Sequence, residues 1–185
     1  MSLIISSLCL YLEDLPKVAS FKNAFEKNDV MDAFEYVIAV VVQPGVEFGS
    51  DSIFEYDRER AKDLSAAIKK YDDLVFEAHS TDYQTKEDLK SMVEDGYIIL
   101  KVGPALTFGF REAAFALNSI EEELLKYHPE FEMSKFREIL DFAMIKNPKQ
   151  WQKHYIGSAD KIKFERKYSL SDRCRYYMPD EDVEF

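Results

Sequence analysis

Apolar residues recur at spacings near three and four after Leu12, through Leu15, Val18, Ala19, Phe21, Phe25 and Val30, and predict a helix leaning on a sheet. The pattern then changes to "YVIAVVVQPGVEFG". Val37 to Val42 are continuously apolar and rich in β-branched side chains, and Gln43-Pro44-Gly45 ends the run. Continuous rather than alternating hydrophobicity predicts a strand buried on both faces, as in a parallel sheet. Tyr56 to Tyr71 predicts an amphipathic helix with Ala61, Leu64, Ala67 and Ile68 on its inner stripe. Leu74 to Ala78 predicts a second strand. Thr85, followed three residues later by Asp88, starts a helix to about Glu94, and Asp95-Gly96 stops it. A third strand is expected over Tyr97 to Val102, closed by Gly103-Pro104, and a longer helix from about Phe108 to Tyr127.

Helices and strands thus alternate, with short loops and polar or Gly/Pro residues after each strand. Such consecutive units predict an α/β fold with a parallel sheet or barrel. Strands near 37–42, 74–78 and 97–102 are too few to close a barrel, which takes eight; either the sheet is open or part of a barrel is absent. The expected organisation is a partial (β/α) barrel over 1–130 and a mostly helical C-terminal extension over 131–185, packed as one unit. Lys135 to Lys146 and Pro148 to Tyr155 are the helical stretches expected in the extension. The opening MSLIISSLCLYL lacks a basic leader and a cleavage site and is too short to span a bilayer, so it is taken as a strand or loop remnant, with a signal peptide as the alternative.

Charge narrows the function classes. Thirty-five acidic against twenty-four basic residues give a formal charge of −11, which repels phosphate backbones and anionic lipid. Neither nucleic acid nor membrane is an expected partner. Cys9 and Cys174 sit at opposite ends of the chain without metal-ligand spacing, which fits a reducing cytoplasm.

Ligands of α/β folds bind at the carboxyl ends of strands. Those ends carry Gln43 with Glu47; Glu77, His79, Ser80, Thr81 and Asp82; and Lys101, Gly103 and Thr107. A lysine, hydroxyls and Gly-containing turns suit a phosphate or sugar hydroxyls. Glu77 shares a strand face with Val75 and His79, and a buried carboxylate there needs a partner, for which Lys101 is the expected one. Thr107 is alternatively a helix N-cap. Arg173 and Arg175, with Tyr168, Tyr176 and Tyr177, form either a partner- or anion-binding surface or a helix end packed by amphipathic side chains.

Four strings, "VIAVVVQPGVEFG", "VFEAHSTDYQT", "ILKVGPALTF-x-x-REA-x-FAL" and "YSLSDR-x-RYY-x-P", together resemble the family of the non-catalytic subunit of class II D-tagatose-1,6-bisphosphate aldolase, in order from about Leu12 to about Pro179. The resemblance implies a TIM-barrel-like protein of bacterial galactitol, tagatose or N-acetylgalactosamine catabolism. Such a subunit is inactive alone and supports a catalytic aldolase subunit. It implies no cofactor in this chain and zinc in that partner only, where tagatose 1,6-bisphosphate is cleaved. Some relatives carry the label tagatose-6-phosphate kinase, but no G-x-x-x-x-G-K-S/T loop occurs here. Family members are longer, so the chain is expected to be a truncated or partial form. It also has Met178 where the family has tryptophan.

His79 is the candidate metal ligand, since zinc aldolases place histidines at strand ends. A catalytic zinc needs three protein ligands, and Gln43 at the neighbouring strand end is a poor one. A hydrogen-bonded His79 that orients its loop is therefore the expectation, and no metal is assigned. Besides the accessory subunit, two alternatives stand: a sugar-phosphate aldolase or isomerase acting at Glu77, His79 and Lys101, and a remnant with neither role. A sugar phosphate at the mouth and a homo-oligomer complete the expected partners.

Overall fold

The computed structural model of the chain describes residues 3–5 and 16–183. Leu12, Leu15, Cys9 and the last two residues of the acidic tail lie outside them, as does most of the opening segment. The described elements run β1 (Leu3–Ile5), α1 (Pro16–Lys27), α2 (Met31–Phe34), β2 (Val37–Val42), β3 (Glu47–Phe48), β4 (Ile53–Phe54), α3 (Arg58–Ile68), β5 (Val75–Ala78), α4 (Lys86–Glu94) and β6 (Ile99–Leu100). These are followed by α5 (Pro104–Leu125), α6 (Phe136–Lys146) and α7 (Ala159–Tyr168). Short 3-10 turns cover Pro148–Gln150 and Arg173–Tyr176.

Two compact units result: residues 1–48 with 53–102, and residues 49–52 with 103–185. The first holds a four-stranded parallel sheet in the order β1-β2-β5-β6. This is the expected α/β fold, part of a (β/α) barrel. The apolar opening contributes a strand, with Ile4 opposite Ala39. β2 is buried at every position but Ile38, as a central strand between two parallel neighbours must be. Val41 pairs with Glu77 and Val42 with Ala78, so the carboxyl ends of β2 and β5 are level.

Local chemistry sets the helix ends. Asp57 accepts hydrogen bonds from the Glu59 and Arg60 amides and starts α3, whose buried stripe is Ala61, Leu64, Ser65, Ala67 and Ile68. Thr85 caps α4 by accepting from the Asp88 amide at 3.1 Å, and Gly96, at φ 101°, ends it. Arg58 reaches Glu94 at 2.9 Å and Asp95 at 2.8 Å, tying the start of α3 to the end of α4. The core of this unit joins Val40, Val42, Leu64, Phe76, Met92 and Tyr97, with Phe76 stacked on Tyr97 at 5.6 Å. Truncating Phe76 to alanine there costs about 3–5 kcal/mol.

Some element boundaries differ from expectation. The third strand is Ile99–Leu100 alone, because Tyr97 turns into the core instead of joining the ladder. The antiparallel pair β3/β4 is short, and no alternating pattern announces it. α5 starts at Pro104, not Phe108: proline at the first helical position lacks only an N–H that has no helical partner anyway. Thr107 is therefore inside the first turn, its hydroxyl donating to the Pro104 carbonyl at 3.0 Å, and does not cap the helix.

The second unit packs α5, α6, α7 and the C-terminal turns around Phe115, Phe136, Leu140, Met144, Tyr155, Cys174 and Tyr177. The stretch Pro148 to Tyr155 forms only a 3-10 turn and further turns, and Ser158, accepting from the Lys161 amide, caps a new helix instead. Arg111 is wholly buried: its guanidinium donates to the Lys167 carbonyl, lies 3.4 Å from Asp172, and covers the Phe108 ring at 4.3 Å. Arg166 grips Asp141 with Nε at 2.6 Å and the terminal nitrogen at 3.2 Å, and Lys167 adds a third contact at 3.1 Å. Among the described residues no helix is long and apolar enough to cross a membrane.

Candidate functional site

The level ends of β2 and β5 bring their two following loops together. Gln43, directly after β2, donates from Nε2 to Glu47 Oε2 at 2.5 Å, to the Val46 carbonyl at 3.3 Å and to Ser80 Oγ at 3.3 Å. The His79 amide continues the ladder by donating to the Val42 carbonyl at 3.0 Å. Across the other side, the Lys101 amide donates to the Ala78 carbonyl at 2.9 Å, and the buried Thr81 hydroxyl donates to the Lys101 carbonyl at 2.9 Å. The structure thus gathers Gln43, Glu47, Glu77, His79, Ser80, Thr81 and Lys101 along three adjacent strand ends. Gly103 and Thr107 belong to the other unit, in the approach to α5 and its first turn.

Backbone conformation marks the loop after β5. Ser80 and Tyr83 have φ of 58° and 65°, a region that L side chains enter at a cost of about 1–3 kcal/mol. Such a conformation persists where surrounding contacts over-determine it. Here Thr81 and Asp82 are buried, and Tyr83 meets Phe48 edge-on at 5.5 Å. Gln84 accepts from the Tyr56 amide at 2.9 Å and donates to the Phe54 carbonyl at 3.0 Å, so it pins β4 to this loop. Gln84 was missed by sequence reasoning, because a single glutamine in a loop carries no periodic or motif signal.

Glu77 is buried, and His79 Nε2 lies 2.8 Å from its Oε1. The expected partner was Lys101, but no ion pair joins Glu77 to Lys101 among the described residues, and Lys101 is exposed. Period-two alternation explains the outcome: Glu77 and His79 stand on one face of the same chain segment, closer than the neighbouring strand. A carboxylate that orients an imidazole can serve acid–base chemistry or simply fix a loop. Glu47 and Glu77 give the cluster two carboxylates. No group of three or more His, Cys, Asp or Glu among the described residues is placed to hold a metal ion.

The basic-aromatic stretch folds back on itself in the second unit. Arg173 donates to the Gln150 carbonyl at 2.8 Å; Arg175 donates to the Ser171 and Asp172 carbonyls and lies 4.3 Å from the Tyr176 ring centre. Tyr177 is buried, its hydroxyl donating to the Asn147 carbonyl at 2.5 Å, and Met178 packs against the same core. Of these candidates Tyr168 and Tyr176 are exposed. A groove of about 1020 Å³ lies elsewhere in the first unit, at the amino ends of β2 and β5, lined by Met31, Phe34, Val37, Tyr71 and Leu74. It lies away from the end of the sheet where ligands of such folds bind.

Comparison with known proteins adds two findings. The family described as D-tagatose-1,6-bisphosphate aldolase subunit GatZ/KbaZ-like matches residues 13–185. The crystal structure of a probable tagatose 6 phosphate kinase from Sinorhizobium meliloti 1021 superposes with a TM-score of 0.86 and 40% identity, covering 97% of this chain and 46% of that one. The chain spans about half the length of that solved structure.

Proposed function

Because the chain belongs to the D-tagatose-1,6-bisphosphate aldolase subunit GatZ/KbaZ-like family, we propose that it is an accessory, non-catalytic component of a class II tagatose-1,6-bisphosphate aldolase. It acts by binding a catalytic subunit and supporting that subunit's activity and stability, in the bacterial cytoplasm and in the catabolism of galactitol, tagatose or N-acetylgalactosamine. A partner that binds only the folded state stabilises it by mass action. Zinc belongs to the catalytic subunit in this reading.

The observation that carries the proposal is the way the strand-end polar groups are used. Gln43 is held by Glu47 and Ser80, His79 by Glu77, and the Thr81 hydroxyl by the Lys101 carbonyl. These hydrogen bonds hold the loops after β2 and β5 as one lip, the rigid surface that a supporting role uses.

A second reading, a sugar-phosphate aldolase or isomerase working at this mouth, is favoured by the carboxylate–imidazole contact at the end of β5. The purified chain, assayed alone with tagatose 1,6-bisphosphate and added zinc, separates the two. The accessory role predicts no turnover above background. Turnover that His79→Ala abolishes would establish the enzyme instead.

A further inference from the structure

The register of the parallel sheet sets three unlike side chains in a row. Val42 stands opposite Ala78, and Ala78 opposite Leu100. The ladder continues one residue on, the His79 amide donating to the Val42 carbonyl and the Lys101 amide to the Ala78 carbonyl. Gln43, His79 and Lys101 therefore stand abreast at the carboxyl ends of β2, β5 and β6, all within the first unit. Period-two alternation puts them on the face of Val41, Glu77 and Ile99. Val42 and Ala78, on the opposite face, share a core with Leu64 of α3 and Met92 of α4, so the row is turned away from those helices.

The hydrogen bonds within the lip leave three groups unused. A carboxylate only accepts, so the ring nitrogen that meets Glu77, Nε2 of His79, carries the proton; Nδ1 of the neutral ring is then an acceptor, and it has no donor among the described residues. Ser80 Oγ accepts from Gln43, and its own proton goes to no described residue. The Lys101 ammonium is exposed, with no ion pair or hydrogen bond among the described residues. An acceptor beside two donors matches alcohols, since a hydroxyl donates one proton and accepts on the same oxygen. An oxyanion has no proton to give and would face a lone pair at His79. We propose that the lip binds a polyhydroxy ligand, an open-chain polyol or the polyol part of a sugar ester. One hydroxyl donates to His79 Nδ1 and accepts from Lys101, and its neighbour accepts from Ser80. Glu77 is the positioning residue, because its contact decides which ring nitrogen is the acceptor. The inference needs neither the accessory role nor any aldolase chemistry.

The test is an NMR titration of the full, isotope-labelled chain with sorbitol, mannitol, sorbitol 6-phosphate and inorganic phosphate. A hexitol is expected to move the His79 Nδ1 resonance and the Ser80 and Lys101 amides together, saturating with a midpoint below about 10 mM. The ester should give the same His79 shift, and inorganic phosphate should not. Lys101→Met replaces an exposed, unpaired side chain, so it should leave melting unchanged while weakening the midpoint by about three- to tenfold. No saturable shift with either hexitol, a His79 shift that inorganic phosphate reproduces alone, or a midpoint unchanged in Lys101→Met would each overturn the inference. No aldolase enters the measurement, so each of these outcomes leaves the accessory role to its own assay.

Discussion

His79 Nε2 lies 2.8 Å from Glu77 Oε1, two residues earlier at the carboxyl end of β5. Both side chains leave the strand on one face, and both are largely withdrawn from water, at 25% and 11% exposure. The contact satisfies a carboxylate that would otherwise be buried alone, and it fixes the ring at the start of the loop whose Ser80 and Tyr83 adopt left-handed backbone conformations.

If the contact holds the loop, Glu77 and His79 are energetically coupled. Glu77→Gln should lower stability to urea by about 1–2 kcal/mol. In a double-mutant cycle with His79→Ala the coupling should fall in the range of about 0.5–3 kcal/mol. Strictly additive losses would show that the two side chains act separately.

Asp141 sets an acid limit on the second unit. Burial by itself pushes its carboxyl up, but hydrogen bonds from Arg166 and Lys167 outweigh that and hold it below the ordinary carboxylate range. A pKa depressed in the folded state contributes stability above the unfolded value, about 3.9, and that contribution fades as pH falls through the lower folded value. Asp141→Asn should therefore destabilise by about 3 kcal/mol at pH 7, and the gap to the original chain should close below about pH 4. Chemical denaturation at several pH values measures it; a gap independent of pH would contradict the assignment.

Cys174 is buried, and its thiol donates to Asp172 Oδ1 at 3.3 Å. Burial, with the neighbouring Asp172 charge, pushes the thiol well above its ordinary range, which suppresses the reactive thiolate. In a Cys9→Ser background, labelling by a thiol reagent at pH 8 should be slow and should accelerate with urea in step with unfolding. Fast labelling of the native protein would show that this segment opens on its own.

The sheet was legible because its central strand announces itself: six consecutive apolar residues from Val37 fit only a position with neighbours on both sides. The Thr85 cap and Gly96 stop were legible for the same local reason, since a cap acts within three residues of itself. What escaped is what depends on distant partners. Tyr97 looks like a strand residue until Phe76 stacks on it. Lys101 looks like the partner of Glu77 until His79 proves nearer. Gln84 looks like a loop residue until the Tyr56 amide and the Phe54 carbonyl meet its amide group. The candidate residues were found because strand ends are predictable; their pairing was not, because hydrogen bonds across loops leave no periodic trace.

Heat inactivation of a class II tagatose-bisphosphate aldolase catalytic subunit, with zinc, in the presence of increasing amounts of this chain bears most directly on an accessory role. A saturable rise in both turnover and half-life, unaffected by His79→Ala, is the predicted result. A catalytic subunit whose turnover and half-life are indifferent to the chain at every ratio would contradict it.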